Sequence, residues 1–417
     1  MRQYDIIVAG GGFTGVAAGI AAAREGHRVL IVEQYGFLGG AACSSYVNPF
    51  MIHAIPDGEG GWIQLNAGIF QEILNRLKEL GGLDRDNRSF NDEILKLVLD
   101  RMVTEHGVQV LFHTYITGVN TQGDRIQSIT VANKSGVTEL SADYFIDCTG
   151  DADVAAGAGC PFHIGREGDN ACQPMTMCFR VINVDTGRFW SNWASANAKY
   201  QELQREGKIK NTREDLLLFH HIARGVVHFN STRILNKSGV DAWDLSAAEM
   251  EVREQVFELY SMMKEYAEGF ENSVLFSAAP QIGVRESRMI DGEYTLTAED
   301  LLACKPFEDS IAVGAYGIDI HSPDGSGTDR REIGGRYYYI PYRSLIPKGV
   351  KNLLVAGRCI SSTHEAQSAY RVLPIVCCIG EGAGTAAALA CRDGADVRDV
   401  CVEELHRLLD QHGAKYC

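Results

Sequence analysis

The sequence predicts an α/β fold: a Rossmann-like, parallel-sheet nucleotide-binding domain with a second α+β body inserted into it. Three observations carry this. An apolar strand near the start runs straight into a glycine-rich turn, a second strand ends in an acid, and a strand–glycine–helix unit recurs late, after a long stretch of different character. The first strand, Tyr4-Asp5-Ile6-Ile7-Val8-Ala9, suits burial on both faces of a parallel sheet. It leads into Gly10, Gly12 and Gly15 in the G-x-G-x-x-G spacing, with Phe13 and Thr14 between the last two. Gly10 allows a tight turn, Gly12 lets backbone approach a pyrophosphate, and Gly15 lets the next helix pack on the sheet. That helix, from Val16 to about Glu25, aims its N-terminal amides at the phosphates. The second strand, Arg28 to Val32, ends in Glu33 and Gln34, about 20 residues past the turn, where an acid meets the ribose hydroxyls. A glycine turn alone specifies little. Strand, turn, helix, strand and acid in this order specify a dinucleotide site.

A second glycine pair follows in Leu38-Gly39-Gly40-Ala41. Nicotinamide domains do not need it, whereas an extended FAD requires a second backbone loop near its flavin end. Tyr144 to Asp147, closing on Cys148-Thr149-Gly150-Asp151, reads as a central strand that returns the chain to the cofactor. Asn352 to Ala356 reads as a late strand ending in Gly357 and Arg358, and the Ala- and Gly-rich stretch from Arg371 and Val372 to about Cys391 as a helix facing the flavin. The segments LGG (Leu38–Gly40), TGDADVA (Thr149–Ala155), GVRESR (Gly283–Arg288) and LLVAGRCISSTHEAQ (Leu353–Gln367) together resemble those of a family of FAD-dependent oxidoreductases, over nearly the whole chain. The resemblance implies a glutathione-reductase-like FAD fold and FAD as cofactor. It departs at Cys43, where threonine is the more familiar residue; a small packing role is favoured there over a redox-active thiol.

Composition excludes several alternatives. A net charge of −15 argues against binding nucleic acid through a basic patch. Val16 to Ala23 is too short an apolar stretch to span a membrane. Twelve cysteines without a C-x-x-C pair argue for reduced thiols rather than disulfides, zinc or an iron–sulfur cluster. With strand one so close to the N-terminus, no export signal is expected and the expected location is cytoplasmic. A second G-x-G-x-x-G unit for NAD(P)H is missing after residue 50. Gly380, Gly382 and Gly384 lie inside the late helix, where close helix packing explains them better. The late motif reads Gly357-Arg358 rather than the Gly-Asp common in aromatic hydroxylases, which lowers that reading. Electrons are therefore expected from the substrate or from a separate small carrier or protein partner. Homo-oligomerisation is left open.

The FAD-binding domain is expected over residues 1–160 and 346–417, with a substrate or cap domain over 161–345. Helices are expected over Gly68 to Leu80 and Asp92 to Glu105, and short strands between Val108 and Leu140 form a small sheet. In that sheet Tyr115-Ile116-Thr117-Gly118 is a candidate adenine contact. Further on, strands over Met175 to Val181 and Gly225 to Phe229 mix with a helix over Ala247 to Ala267. A flavin enzyme needs a proton carrier and cations that orient substrate. His321, at a strand end before a turn, is the candidate proton carrier or a structural histidine. Arg285 either orients an anion or pairs with Glu286 to hold cap to FAD domain. His364 either touches substrate or hydrogen-bonds cofactor or backbone. Arg371 either orients a carboxylate or binds the flavin from the helix start. Tyr337-Tyr338-Tyr339 reads chiefly as alternating sheet residues, with a stacking platform as the lesser reading. The expected reaction is dehydrogenation of a small polar metabolite by hydride transfer to flavin N5. Reduction of an activated double bond and a flavin-binding electron-transfer subunit are the alternatives.

Overall fold

The computed structural model describes residues 3–417. Tyr4–Ala9 lies between two parallel neighbours, Val29–Val32 and the end of a long strand, Gly136–Asp147. Val8 pairs with Ile31 on one side and Ile146 on the other, and Ile6, Ile7, Val8 and Ala9 are all buried, so the apolar run is covered on both faces. Gln109–Leu111 extends the parallel sheet beyond Val29–Val32, and Leu353–Val355 extends it beyond Gly136–Asp147. Two short strands were expected between Gly136 and Asp147, but the chain makes one of 12 residues. Past Gly136 no glycine or proline interrupts it. Its first half pairs antiparallel with Arg125–Asn133, which pairs with Tyr115–Gln122, and its second half joins the parallel sheet.

Two helices cross against this sheet, Phe13–Arg24 and Leu373–Asp393. A Cβ on Gly380 would stand 2.2 Å from the Thr14 carbonyl oxygen, and one on Gly384 would stand 2.2 Å from that of Ala18. The helical glycines therefore allow backbone to meet backbone, the role their position suggested. Leu373–Asp393 is apolar and long enough to cross a membrane, and from Leu373 to Ala390 it is buried within the protein. It starts two residues later than expected. A separate helix, His364–Tyr370, precedes it, with Arg371 as C-cap. Pro374 explains the break: it fits the first turn of a new helix and cannot continue an old one.

A second sheet runs in the order Leu218–His220, Val227–Phe229, Phe179–Ile182, Val274–Ala278, all antiparallel. Met175 and Thr176, expected to begin a strand, make only isolated bridges to Ile234 and Gly283. Helices Thr186–Arg205 and Ala242–Tyr266 pack with this sheet into an apolar cluster of their own, between Met175 and Val284. Leu296, Ile311, Ile340 and Leu345 instead join the cluster of the first sheet.

Candidate active site

A cavity of about 330 Å³ opens at the carboxyl ends of the parallel strands. The glycine turn contributes Gly10, Gly12, Phe13 and Thr14, and the second strand contributes Glu33 and Gln34. Gly39, Gly40 and Ala41 come from the second glycine loop, and Ile116 from the antiparallel strands. Thr149, Gly150 and Asp151 follow the long strand, and Gly357, Arg358 and Arg371 close the other side. Two residues expected here lie elsewhere. Gly15 packs on its own turn, its missing Cβ standing 1.8 Å from the Gly10 carbonyl oxygen. Val372 faces the neighbouring cavity. Sequence reasoning missed Tyr35, Ser44, Ser45 and Thr114, which also line the space. Thr114 and Ser44 directly adjoin segments that were recognised, so a wider window around each motif was the available signal.

Glu33 is held by its own neighbourhood. Its carboxylate accepts hydrogen bonds from the amides of Gly11 at 2.6 Å and Tyr35 at 2.8 Å, while burial pushes its pKa up. Asp147 organises the TGDADVA turn: this buried carboxylate accepts from the Thr149 hydroxyl and from the amides of Thr149, Val154 and Ala155. Asp151 then pairs with Arg358 at 2.7 Å and accepts from the Ser287 hydroxyl at 2.5 Å. The cavity walls suit an extended dinucleotide. A Cβ on Gly12 would meet only the Cα of Gly40, at 3.7 Å, so the glycine leaves open the space where a phosphate backbone would lie. Gly12 is also the N-cap of Phe13–Arg24 and supplies no side chain to its first-turn amides. The Nε atoms of Arg358 and Arg371 are buried there without hydrogen-bond partners.

A second cavity, of about 390 Å³, adjoins the first and shares Ala41, Ser45, Arg358 and Arg371 with it. Arg285, His321, Tyr316 and Asp319 line it. Arg285 donates to the Pro174 carbonyl at 2.6 Å, to the Thr176 hydroxyl at 2.5 Å and to Asn230 Oδ1 at 3.4 Å. Burial, then the neighbouring Arg371 and Arg213, push its pKa down to about 9, so it stays charged at neutral pH. His321 Nδ1 faces Arg213 and Arg233, each at 3.5 Å. Guanidinium groups only donate, so Nδ1 accepts and the proton resides on Nε2, 3.7 Å from Asp319 Oδ2. Burial, reinforced by four arginines, holds the His321 pKa well below its usual value, and the ring is neutral. Asp319 accepts from the Tyr316 hydroxyl at 2.6 Å and from Arg330 at 3.3 Å.

Several expectations are corrected. Arg285 does not pair with Glu286. Successive side chains of this extended segment diverge, and Glu286 turns away to His364 Nδ1 at 2.7 Å and to the Gln173 amide at 2.8 Å. His364 is thereby a buried clamp between its helix and the GVRESR segment, and it lines neither cavity. Arg371 does not open the long helix; it ends the short one, where a cation is favoured. Its guanidinium reaches Gln173 Oε1 at 3.3 Å and the Asp319 carbonyl at 3.4 Å. Tyr337 and Tyr339 meet edge to face away from both cavities, with Tyr338 buried on the opposite side, so they form no stacking platform. Cys43 is buried, its thiol pushed up by desolvation, and it lines neither cavity.

A family model described as FAD dependent oxidoreductase matches residues 5–409. The chain belongs to that family. FAD is accordingly the cofactor of this FAD dependent oxidoreductase, and it is an enzyme. Solved structures resemble it at the level of fold. The flavin-dependent brominase Bmp2 aligns with a TM-score of 0.50 at 12% identity, covering 98% of this chain and 83% of that one. A p-nitrophenol 4-monooxygenase from Pseudomonas putida DLL-E4 gives 0.48 at 11% identity, covering 99% and 84%. A geranylgeranyl bacteriochlorophyll reductase-like protein from Thermoplasma acidophilum gives 0.47 at 12% identity, covering 100% and 85%.

Proposed function

We propose that this FAD dependent oxidoreductase dehydrogenates a small metabolite that carries an anionic group, in the second cavity. The observation that carries this reading is a charged, protein-enclosed Arg285 with only neutral partners, in a chamber that shares Arg371 with the FAD-binding cavity. FAD supplies the acceptor for the hydride leaving substrate carbon. Arg285 and Arg371 bind the anion and orient the C–H bond. Asp319 takes the proton released from the substrate's hydroxyl or amine, while neutral His321 donates from Nε2 and fixes the same group. Residues 161–345 close over the cofactor as a cap, with its separate apolar core limited to the part between Met175 and Val284. A separate acceptor then removes the electrons.

The test is an anaerobic titration of the purified yellow protein with hydroxy acids, amino acids and sugar acids. Bleaching of the flavin absorption band by one class of donor is the expected result. If no donor bleaches it, and an activated alkene reoxidises the chemically reduced protein, reduction of a double bond replaces this reading.

A further inference from the structure

The arginines in and around the second cavity differ in their partners. Arg213, Arg233, Arg330 and Arg358 each have a carboxylate partner, in Asp215, Glu214, Asp319 and Asp151. Arg285 and Arg371 have none among the described residues; their acceptors are carbonyls, a hydroxyl and side-chain amides. Two guanidinium groups held in protein without a counter-ion, both lining one chamber, are a standing demand for an anion. Apolar side chains line the same chamber: Pro49, Met51, Leu217 and Phe219, with Ile52 46% exposed. Ile52, Arg330 and Glu332 are all exposed and mark the mouth. Asp319 and Glu332 share the chamber, which disfavours a phosphate dianion and suits a monoanion.

We infer that the substrate is an amphiphilic monocarboxylate, its carboxylate held by Arg285 and Arg371 and its alkyl or aryl body lying along Pro49, Met51, Leu217 and Phe219 toward the mouth. This rests on the second cavity being the substrate chamber. A planar carboxylate matches the guanidinium fork, and its body displaces water from apolar side chains that a small polar acid would leave wet.

Binding is measured on the FAD-loaded, oxidised protein as a perturbation of the flavin spectrum, with a series of linear carboxylates from acetate to octanoate. Affinity should rise about fourfold per methylene until the chamber fills. Hexanoate should bind about 10–100-fold more tightly than 1-hexanol. In Arg285→Gln the preference for hexanoate over 1-hexanol should collapse with FAD content unchanged. In Met51→Ser the chain-length dependence should flatten while the preference for the acid persists. Acetate binding as tightly as hexanoate overturns the apolar body, and 1-hexanol matching hexanoate overturns the carboxylate. Both comparisons use the unmodified protein, so a misfolded variant cannot obscure them. Graded carboxylate binding without bleaching by any donor would support this ligand class while ending the dehydrogenase reading. Bleaching by donors that show neither preference would do the reverse.

Discussion

At the scale of single residues, Gly12 gives the sharpest test of the cofactor cradle. An added Cβ there has room in the protein itself, with its nearest neighbour 3.7 Å away, and it occupies the phosphate approach. Gly12→Val should therefore fold and purify colourless, with a melting temperature close to that of the cofactor-free parent; full flavin occupancy would refute the cradle. Asp319→Asn should slow flavin reduction about 10²–10⁴-fold with FAD still bound, the scale of a lost general base. His321→Ala should have a smaller effect, because a neutral donor is lost rather than a proton acceptor. Rates normalised to flavin content decide between them, and an Asp319→Asn variant of unchanged rate removes that residue from the chemistry. Glu33, the glycine turn and Arg371 were legible in the sequence because each sits in or beside a local motif. The assignment of Glu286 to His364 rather than to its neighbour Arg285 was not, because it depends on which way adjacent side chains face in three dimensions.

Among elements, the buried helix Leu373–Asp393 carries two predictions. Gly384→Val sets a branched side chain against the Ala18 carbonyl oxygen, where even a Cβ would stand 2.2 Å away. Overpacking of this kind costs about 1–3 kcal/mol or more, so the variant should show a lowered urea midpoint or fail to accumulate. Glu381, on the same helix, accepts the amide of Ile69 at 3.0 Å and so caps the helix Ile69–Glu79 from outside it. Burial raises its pKa from 4.5 to about 7. The folded state thus holds this proton more tightly than the unfolded state. Its contribution to stability is greatest below pH 4.5 and is lost as the pH rises to about 7, a change on the order of 3 kcal/mol. Urea titrations at pH 5 and pH 8 should show a smaller pH difference in Glu381→Gln than in the parent. An equal difference would assign the pH dependence elsewhere. Helix existence was readable from apolar spacing, yet the break at Val372 was not, since one proline had to be weighed against a run of good helix formers. The join of two predicted strands into Gly136–Asp147 escaped for a similar reason: the alternation that marks a half-exposed strand changes midway into the apolar run of a buried one.

For the whole molecule, the prediction concerns electron traffic. One nucleotide-binding unit is present among the described residues, and the chain between Met175 and Val284 builds an antiparallel sheet rather than a second one. NADH alone should reduce the flavin slowly, and rapid stoichiometric bleaching in stopped flow would overturn this. The order in which the sheet is assembled has a further consequence. Its strands come from residues 4–9, 29–32, 109–111 and 142–147, and the last from 353–355, after the entire second sheet has been made. A chain emerging from the ribosome therefore completes its second sheet while the first still lacks Leu353–Val355 and the helix that lies across Thr14 and Ala18. Until then the FAD cradle has no Gly357, Arg358 or Arg371. Flavin capture is thus a late event in the life of the nascent chain, and a polypeptide stalled before residue 353 should emerge with a folded second body and no yellow colour.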